Sequence, residues 1–299
     1  MMHDLPFVDA HVHLWDLTRI HYPWLTPPFS SDGPNGSVEP IAHNYLLDDY
    51  RIESARWNVV GMVHVEAGAL AAQASIETAW LDDMAAAEGL PSGVVAFAAL
   101  DDPDVESLLA AHARHKCVRG VRHIVNWHAD PHRTYTPRDL TGDEAWQRGF
   151  ALLGDFGLSF DCQAYPGQFA RLAELFARHP GIPVAVNHAG MGVDDAQEWR
   201  SGMKQLAALP HVAIKISGLG FAVRPWNRRL VEQRVREAID IFGPARAMIA
   251  SDFPTDRLFA SFDATLGTYA DAISDLSEAE KRALWGGNAD RVYRLGLGL

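Results

Sequence analysis

Short apolar runs and amphipathic segments of helical length alternate along almost the whole chain. Eight of the apolar runs are rich in Val, Ile, Ala and Phe, and several are apolar at every position, which is typical of strands buried on both faces. Strands are predicted at residues 6–11, 59–65, 93–99, 119–125, 158–163, 183–188, 211–216 and 246–251. Helices are predicted between them at residues 46–57, 71–88, 104–115, 143–154, 167–178, 196–208 and 228–242.

A regular alternation of strands and helices indicates a parallel sheet with helices packed around it. Eight such units in about 250 residues or slightly more is the size of a (β/α)8 TIM barrel, an α/β fold. We therefore expect a single barrel domain over residues 1–299, whose outer ring is completed by helices at 260–273, 277–285 and 288–295.

Two long segments interrupt the alternation, at residues 16–45 after the first strand and at 126–142 after the fourth. Loops of this length inside a compact domain are usually functional or disordered. Both start at the carboxyl ends of predicted strands, where barrel enzymes build their active sites. The first loop carries Trp24, which is a candidate for the wall of a pocket, although loop aromatics are more often ordinary packing.

Groups that can bind a metal, titrate or hold an anion follow nearly every predicted strand. They are His11 and His13 at the first strand, Arg122 and His123 at the fourth, Gln163 and Tyr165 at the fifth, His188 at the sixth and Asp252 at the eighth. Polar residues placed at random in loops would rarely fall directly after so many of the strands. The pattern therefore predicts one shared site at the mouth of the barrel.

The histidine pair and the Arg–His pair each leave two interpretations. Side chains two residues apart share one face of a strand, so His11 and His13 can hold one ion or one substrate oxygen. The alternative is a strand end that carries two surface histidines. Alternation also means that only one of Arg122 and His123 faces the barrel interior, and the sequence does not decide which.

Asp252 and His188 have structural alternatives of the same kind. Asp252 precedes a turn and would serve as a helix cap, but the last strand of a closed barrel faces the first, which favours a base or a ligand. In the structural alternative for His188, its ring would form a hydrogen bond with a loop carbonyl. The glycines Gly190 and Gly192 that follow it permit a close backbone approach and favour a site.

The net charge of −12 and the apolar pattern argue against several classes of partner. Such a charge disfavours nucleic acid and anionic membranes. The longest apolar stretches, such as 94–100, are far below the roughly 18 residues that a membrane helix needs. No signal-peptide pattern opens the chain, so we expect a cytoplasmic protein with a small-molecule substrate. Exposed loop aromatics leave room for a homodimer.

Six motifs together resemble the amidohydrolase-related group of the amidohydrolase superfamily, over residues 7–295. The motifs are VDAHVHLWD at 8–16, YPWL at 22–25, NHAG at 187–190, KISGL at 215–219, SDFP at 251–254 and GNADRVY at 287–293. The branch that the chain resembles contains sugar lactonases, pyrone-dicarboxylate lactonase and sulfomuconolactone hydrolase. As a set the motifs are specific for the family, but they do not encode the substrate.

The resemblance implies a barrel whose strand ends surround one or two divalent ions. His11, His13, His188 and Asp252 match the family's ligand positions on strands 1, 6 and 8. Gln163 stands where the family has a strand-5 histidine, and no lysine that could bridge two metals ends strand 4. The resemblance therefore implies a single zinc-type ion with an open position for water. It also leaves metal-independent activity open, because some lactonases of this branch work without a metal.

By this resemblance the chain is a hydrolase that opens a sugar-acid or carboxylated lactone. Asp252 would take the proton from water. The imidazoles of His11, His13 and His188 would polarise the ester carbonyl. Substrate contacts would come from Arg122, His123, Gln163, Tyr165 and Trp24. The alternatives are a metal-dependent non-oxidative decarboxylase, an amide or imide hydrolase, and a barrel that only binds. A serine-hydrolase route lacks its Gly-x-Ser-x-Gly motif.

Overall fold

The computed structural model describes residues 2–193 and 195–299 and contains one eight-stranded parallel sheet. The strands are β1 (Phe7–Val12), β2 (Val59–Val65), β3 (Gly93–Phe97), β4 (Val118–Arg122), β5 (Ser159–Cys162), β6 (Val184–Val186), β7 (Val212–Ile216) and β8 (Ala247–Ile249). Each strand pairs with the next in chain order. The sheet closes where the Asp252 amide donates to the His11 carbonyl over 2.9 Å and the His13 amide donates to the Phe253 carbonyl over 2.8 Å. The expected (β/α)8 TIM barrel is confirmed.

Helices surround the barrel between successive strands and after the last one. They are α1 (Leu47–Glu53), α2 (Ala74–Glu88), α3 (Val105–His112), α4 (Glu144–Leu152), α5 (Phe169–Arg178), α6 (Ala196–Ala207), α7 (Leu219–Ala222), α8 (Arg228–Phe242), α9 (Phe262–Ala272), α10 (Glu278–Arg282) and α11 (Asn288–Tyr293). The helix predicted at 228–242 coincides with α8. Within the described part of the chain, every helix is too short or too polar to cross a lipid bilayer.

Five of the eight strands, namely β3, β4, β5, β6 and β8, end earlier than the apolar pattern predicts. The fourth strand was expected to reach residue 125 but stops at Arg122, and the eighth was expected to reach 251 but stops at Ile249. Beyond these points the chain bonds to neighbouring loops, as when the Val125 amide donates to the Gln163 carbonyl over 3.1 Å. The polar residues after each strand therefore belong to the barrel mouth rather than to the sheet.

The bottom of the barrel is filled and sealed. Small and β-branched side chains occupy its interior, namely Val8, Ala10, Val63, Val65, Val95, Ala185, Ala213, Met248 and Ala250. Tyr293 of α11 enters from below and donates its hydroxyl to Asp161 over 2.8 Å. Asp161 also accepts from the ammonium group of Lys215, and all three side chains are fully buried. A buried charge is tolerated when it is paired and hydrogen-bonded in this way.

A β-bulge in β1 sets the direction of the two strand-1 histidines. Val8 and Ala10 point into the barrel interior. Strict alternation would therefore turn His11 and His13 to the outside. The pairing with β2 shifts before Val12, which adds one residue to β1 and packs Val12 against the outer layer. The bulge thus directs both histidines into the barrel mouth.

The loop at 16–45 folds across the carboxyl ends of the strands. An antiparallel bridge joins its two ends, and its tip reaches the loop at 126–142. There the Tyr135 hydroxyl donates to Asn35 Oδ1 over 2.5 Å. From the segment after β7, Arg224 donates to the carbonyl of Pro34 over 2.9 Å. Both long loops therefore form the rim of the barrel mouth.

Candidate active site

The ends of the first and last strands bring two imidazoles and a carboxylate together. The Nε2 atoms of His11 and His13 lie 3.2 Å apart. Asp252 Oδ1 lies 3.5 Å from Nε2 of His11 and 3.4 Å from Nε2 of His13. All three side chains are buried. The structure therefore brings His11, His13 and Asp252 together across the barrel mouth, as the sequence predicts.

The surroundings of each imidazole keep its Nε2 available as a lone-pair donor. Nδ1 of His13 lies 2.7 Å from the carbonyl oxygen of Val65, so the ring proton belongs on Nδ1. Burial, with the nearby charge of Lys215, holds the pKa of His11 well below its ordinary value. His11 is therefore neutral at pH 7, which is the form that binds metal ions.

Within residues 2–193 and 195–299, the carboxylate of Asp252 is buried without a hydrogen-bond partner. Its backbone lies in the left-handed region, with a φ of +59°. The side chain is 1% exposed, and neither carboxylate oxygen has a hydrogen-bond partner in the described part of the chain. Burying such a group is costly unless a cation or a proton donor complements it. The arrangement therefore calls for an ion, a water or a substrate beside Asp252.

The three atoms fit one face of a tetrahedral ion site. Zinc binds imidazole nitrogen and carboxylate oxygen at about 2.0–2.2 Å, which places neighbouring tetrahedral ligands about 3.3 Å apart. The observed separations are 3.2, 3.4 and 3.5 Å. Among residues 2–193 and 195–299, His11, His13 and Asp252 form the one cluster with metal-ligand spacing. The residues present therefore fit a divalent ion and leave one coordination position open.

His188 lies beside this cluster rather than in it. Its Nδ1 is 3.1 Å from the Ser217 hydroxyl and 3.8 Å from Asp252 Oδ2. Burial lowers the pKa of His188 to about 4, so the ring is neutral at pH 7. The geometry does not support the expected role of His188 as a fourth ligand. A neutral ring on the cavity wall is instead suited to donate a hydrogen bond.

Of the neighbouring pair on β4, Arg122 faces the cavity and His123 does not. The Arg122 guanidinium is 4% exposed and donates to Gln163 Oε1 over 2.9 Å. His123 lies on the outer side of the strand, where its Nδ1 is 3.1 Å from the Leu100 amide and 3.2 Å from the Trp146 indole nitrogen. The expectation that His123 contacts substrate is corrected, because strand alternation places it among the outer helices.

One cavity of about 240 Å³ joins these groups to the two loops. Its wall includes His13, Trp24, Asn35, Arg122, Ile124, Tyr135, Gln163, His188, Met191, Phe221, Asp252 and Thr255. Trp24 stands on the wall as expected, where its indole nitrogen donates to the Ala67 carbonyl over 2.7 Å. Tyr165 was expected in the same site. It lines an adjoining outer chamber of about 300 Å³ instead.

The sequence interpretation missed four polar or aromatic residues of this wall, namely Asn35, Tyr135, Phe221 and Thr255. All four follow strand ends or lie in the two long loops. The lengths of those loops indicated that they contribute to the site. Their residues could not be chosen individually, because loop conformation rather than strand periodicity decides which side chains turn inward.

A buried acid behind the cavity wall makes stability depend on pH. Glu77 of α2 accepts from the Tyr22 hydroxyl over 3.0 Å and from the Ala67 amide over 3.3 Å. Burial, reinforced by the charge of Glu66, raises the pKa of Glu77 from 4.5 to about 8. The folded protein therefore keeps a proton that the unfolded chain releases above pH 4.5. Its contribution to stability is full below that pH and is lost as the pH rises to about 8.

Glu77→Gln is expected to remove this loss, since glutamine keeps the accepting oxygen and carries no charge. Between about pH 5.5 and about pH 8.5 the wild type should lose roughly 3 kcal/mol of unfolding free energy relative to the variant. Denaturant titrations at the two pH values measure this difference. The exposed Glu106→Gln is the matched control and should follow the wild type. Parallel pH profiles for wild type and Glu77→Gln would contradict the prediction.

The chain is similar to known proteins over almost its whole length. The profile of a family described as amidohydrolase matches residues 8–295. The uncharacterized protein y4mH of Sinorhizobium fredii is 37% identical, over 98% of this chain and 100% of that protein. An L-fucono-1,5-lactonase of Burkholderia multivorans is 31% identical, over 96% of each chain. A crystal structure of an amidohydrolase from Burkholderia multivorans with bound zinc superposes with a TM-score of 0.80 at 30% identity, over 97% of this chain and 99% of that one.

Proposed function

This chain belongs to the amidohydrolase family, as its motifs indicated, and from that membership we propose that it hydrolyses the ring ester of a sugar-acid lactone. The single observation that carries the proposal is the carboxylate of Asp252, which is buried without a hydrogen-bond partner among the described residues and lies beside two imidazoles on the cavity wall. A group in that setting is suited to hold a water and accept its proton. The L-fucono-1,5-lactonase relative supports the choice of a sugar lactone.

In the proposed reaction Asp252 orients a water against the lactone carbonyl and takes its proton as the C–O bond forms. Oδ1 faces the two imidazoles, so Oδ2, 3.8 Å from His188, is the oxygen that accepts the proton. When the ring C–O bond breaks, the same proton passes to the leaving alkoxide and gives a hydroxyl group. The product is a hydroxy acid, which ionises at neutral pH and releases one proton for each ring opened.

The neutral His188 ring stabilises the negative charge that develops on the carbonyl oxygen. Nδ1 of His188 lies 3.1 Å from the Ser217 hydroxyl, and in the tautomer in which that hydroxyl donates to Nδ1 the proton of His188 lies on Nε2 and is available to the substrate. Donors that are already fixed in place can stabilise such developing charge without having to reorganise during the reaction. A divalent ion held by His11, His13 and Asp252 would act as a Lewis acid and further polarise the ester.

The cavity fits one monosaccharide-sized ring. Its volume of about 240 Å³ is slightly below the roughly 300–1,000 Å³ of pockets that hold drug-sized ligands, which favours a small substrate. Trp24 and Phe221 offer flat apolar surfaces, and Asn35, Tyr135 and Thr255 offer polar groups for ring hydroxyls. That mixture is suited to a sugar, whose ring has an apolar face and a polar edge.

Proton release from a panel of lactones tests the proposal. The panel contains L-fucono-1,5-lactone, related sugar lactones and a carboxylated lactone, with the metal content of the protein measured in parallel. Enzyme-dependent proton release with a sugar lactone is expected. Release of carbon dioxide from a hydroxybenzoate without lactone hydrolysis would favour the decarboxylase alternative. Hydrolysis of amides or imides only would replace the ester in the proposal, and inactivity on the whole panel would favour a binding protein.

Tyr135→Phe is expected to raise KM for the sugar lactone by about two- to tenfold and to leave kcat nearly unchanged. The lost hydroxyl donates to Asn35, and both residues line the cavity at the rim, away from the cluster around Asp252. Loss of one such hydrogen bond costs about 0.5–1.5 kcal/mol. Steady-state kinetics separates the two constants. A large fall in kcat with an unchanged KM would mean that Tyr135 takes part in the chemical step.

A further inference from the structure

Arg122 occupies what would otherwise be a cation site beside the proposed ion. Its Nε donates to Glu66 Oε1 over 2.6 Å, and one terminal nitrogen donates to the Glu66 carbonyl over 2.6 Å. The other terminal nitrogen donates to Gln163 Oε1 over 2.9 Å and lies 3.5 Å from Nε2 of His11. The guanidinium, Glu66 and Gln163 are each less than 5% exposed.

The atoms around this guanidinium are of the kinds that bind metal ions. A carboxylate oxygen, an amide oxygen and an imidazole nitrogen converge on one positive charge. A guanidinium is always charged and offers only donors, so it satisfies the Glu66 and Gln163 oxygens while keeping other cations away from them. Its terminal nitrogen also approaches the same His11 nitrogen that belongs to the ion cluster.

We propose that Arg122 serves as a built-in cation of this site, which limits it to one divalent ion and weakens the binding of that ion. The inference rests on the ion cluster in the proposed function and concerns how strongly the cluster binds. Charges a few ångströms apart in a buried site interact strongly, so the guanidinium opposes any ion at His11, His13 and Asp252. Glu66 offsets part of that repulsion, because its carboxylate is paired with the guanidinium.

The proposal makes predictions of opposite sign for removing the Glu66 charge alone and for removing it together with the Arg122 charge. Glu66→Gln leaves the Arg122 charge uncompensated and should weaken ion binding by about tenfold or more. The double variant Arg122→Gln/Glu66→Gln removes both charges and should strengthen ion binding by about tenfold or more relative to Glu66→Gln, with one ion bound. Arg122→Lys keeps the charge without the fork of donors and should bind the ion within about threefold of wild type.

Equilibrium dialysis of chelator-treated protein against Zn²⁺ or Co²⁺, with elemental analysis, measures affinity and stoichiometry for all four proteins. Circular dichroism checks that each is folded. If the double variant does not fold, the comparison of Glu66→Gln with Arg122→Lys still tests the sign of the effect. The expected result is one ion per chain in wild type, weaker binding in Glu66→Gln and nearly unchanged binding in Arg122→Lys.

Two ions per wild-type chain, or unchanged affinity in Glu66→Gln, would overturn the proposal. So would a gain in affinity in Arg122→Lys equal to that in the double variant, because the effect would then not follow the charge. If neither wild type nor the double variant takes up an ion, the ion cluster and this inference fail together. The titrations need no substrate, so absence of lactone turnover would sink the proposed reaction alone.

Discussion

Asp252→Asn is expected to lower kcat for the sugar lactone by about 10³-fold or more. An amide cannot accept the proton of the attacking water, and general base catalysis of this kind contributes about 10²–10⁴-fold. The same change removes one of three candidate ion ligands, so uptake of Zn²⁺ should fall as well. The fold should survive, since in metal-free protein the replaced carboxylate is buried without hydrogen-bond partners among the described residues. The melting temperature of chelator-treated Asp252→Asn should therefore equal or exceed that of wild type.

Asp256→Asn is the matched control for this variant. Asp256 lies one turn further along the same loop, is fully buried and does not line the cavity. Burial, with the nearby charge of Asp252, raises the pKa of Asp256 well above its ordinary value. Asparagine keeps the size and shape of this buried side chain, at a position off the cavity wall. We expect kcat within about threefold of wild type, which is ordinary for a change away from the reacting atoms.

Rates in Asp252→Asn that stay within about tenfold of wild type would remove this residue from the role of base. Equal losses in Asp252→Asn and Asp256→Asn would mean that the loop, rather than the carboxylate, limits the rate. A fall in kcat together with a fall in melting temperature would point to a fold defect. Only the combination of lost turnover with retained stability supports the assignment.

The fold could be predicted from the sequence because apolar runs and amphipathic segments alternate along the chain in the same order as the strands and helices of the barrel. Runs such as residues 94–100 are buried on both sides, and the helical segments between them are long enough to return the chain for a parallel strand. Once eight such units close, the residues after each strand must share one end of the barrel. The grouping of His11, His13 and Asp252 follows from that closure.

The details of the site could not be predicted, because they depend on departures from regular structure. The bulge in β1 turns His11 and His13 inward, and no residue type marks a bulge there. The sequence shows that only one of Arg122 and His123 can face the barrel interior. Which of the two does so depends on the strand register, which the sequence does not give. Asn35 reaches the cavity only because the first loop folds back over the strand ends, where Tyr135 holds it.

Two of the five non-glycine residues that have a positive φ in the described part of the chain are residues that the mechanism uses. His188 has a φ of +53° and Asp252 a φ of +59°, both in the left-handed region that favours glycine. Such conformations cost on the order of 1 kcal/mol or more and persist where packing enforces them. The neighbouring Gly218 also has a positive φ, of +60°, and an added Cβ would lie 2.4 Å from Nδ1 of His188. Gly218 therefore determines how closely β7 approaches the histidine.

Gly218→Ala is consequently expected to lower kcat by about 100-fold and stability by about 2 kcal/mol. The left-handed conformation costs alanine about 1 kcal/mol, and the collision must push the His188 ring away from Ser217 and Asp252. Displacing a catalytic group by about 1 Å can cost about 10²-fold in rate. Steady-state kinetics and denaturant unfolding measure the two effects separately.

Gly267→Ala controls for the exchange of glycine for alanine itself. Gly267 lies inside α9, and a Cβ there would meet no atom within 4 Å. Alanine should therefore stabilise the helix by about 0.5–1 kcal/mol and leave kcat unchanged. If Gly218→Ala loses stability but keeps its kcat, the position of His188 does not limit the reaction. The carbonyl oxygen would then have to be stabilised mainly from the side of His11 and His13.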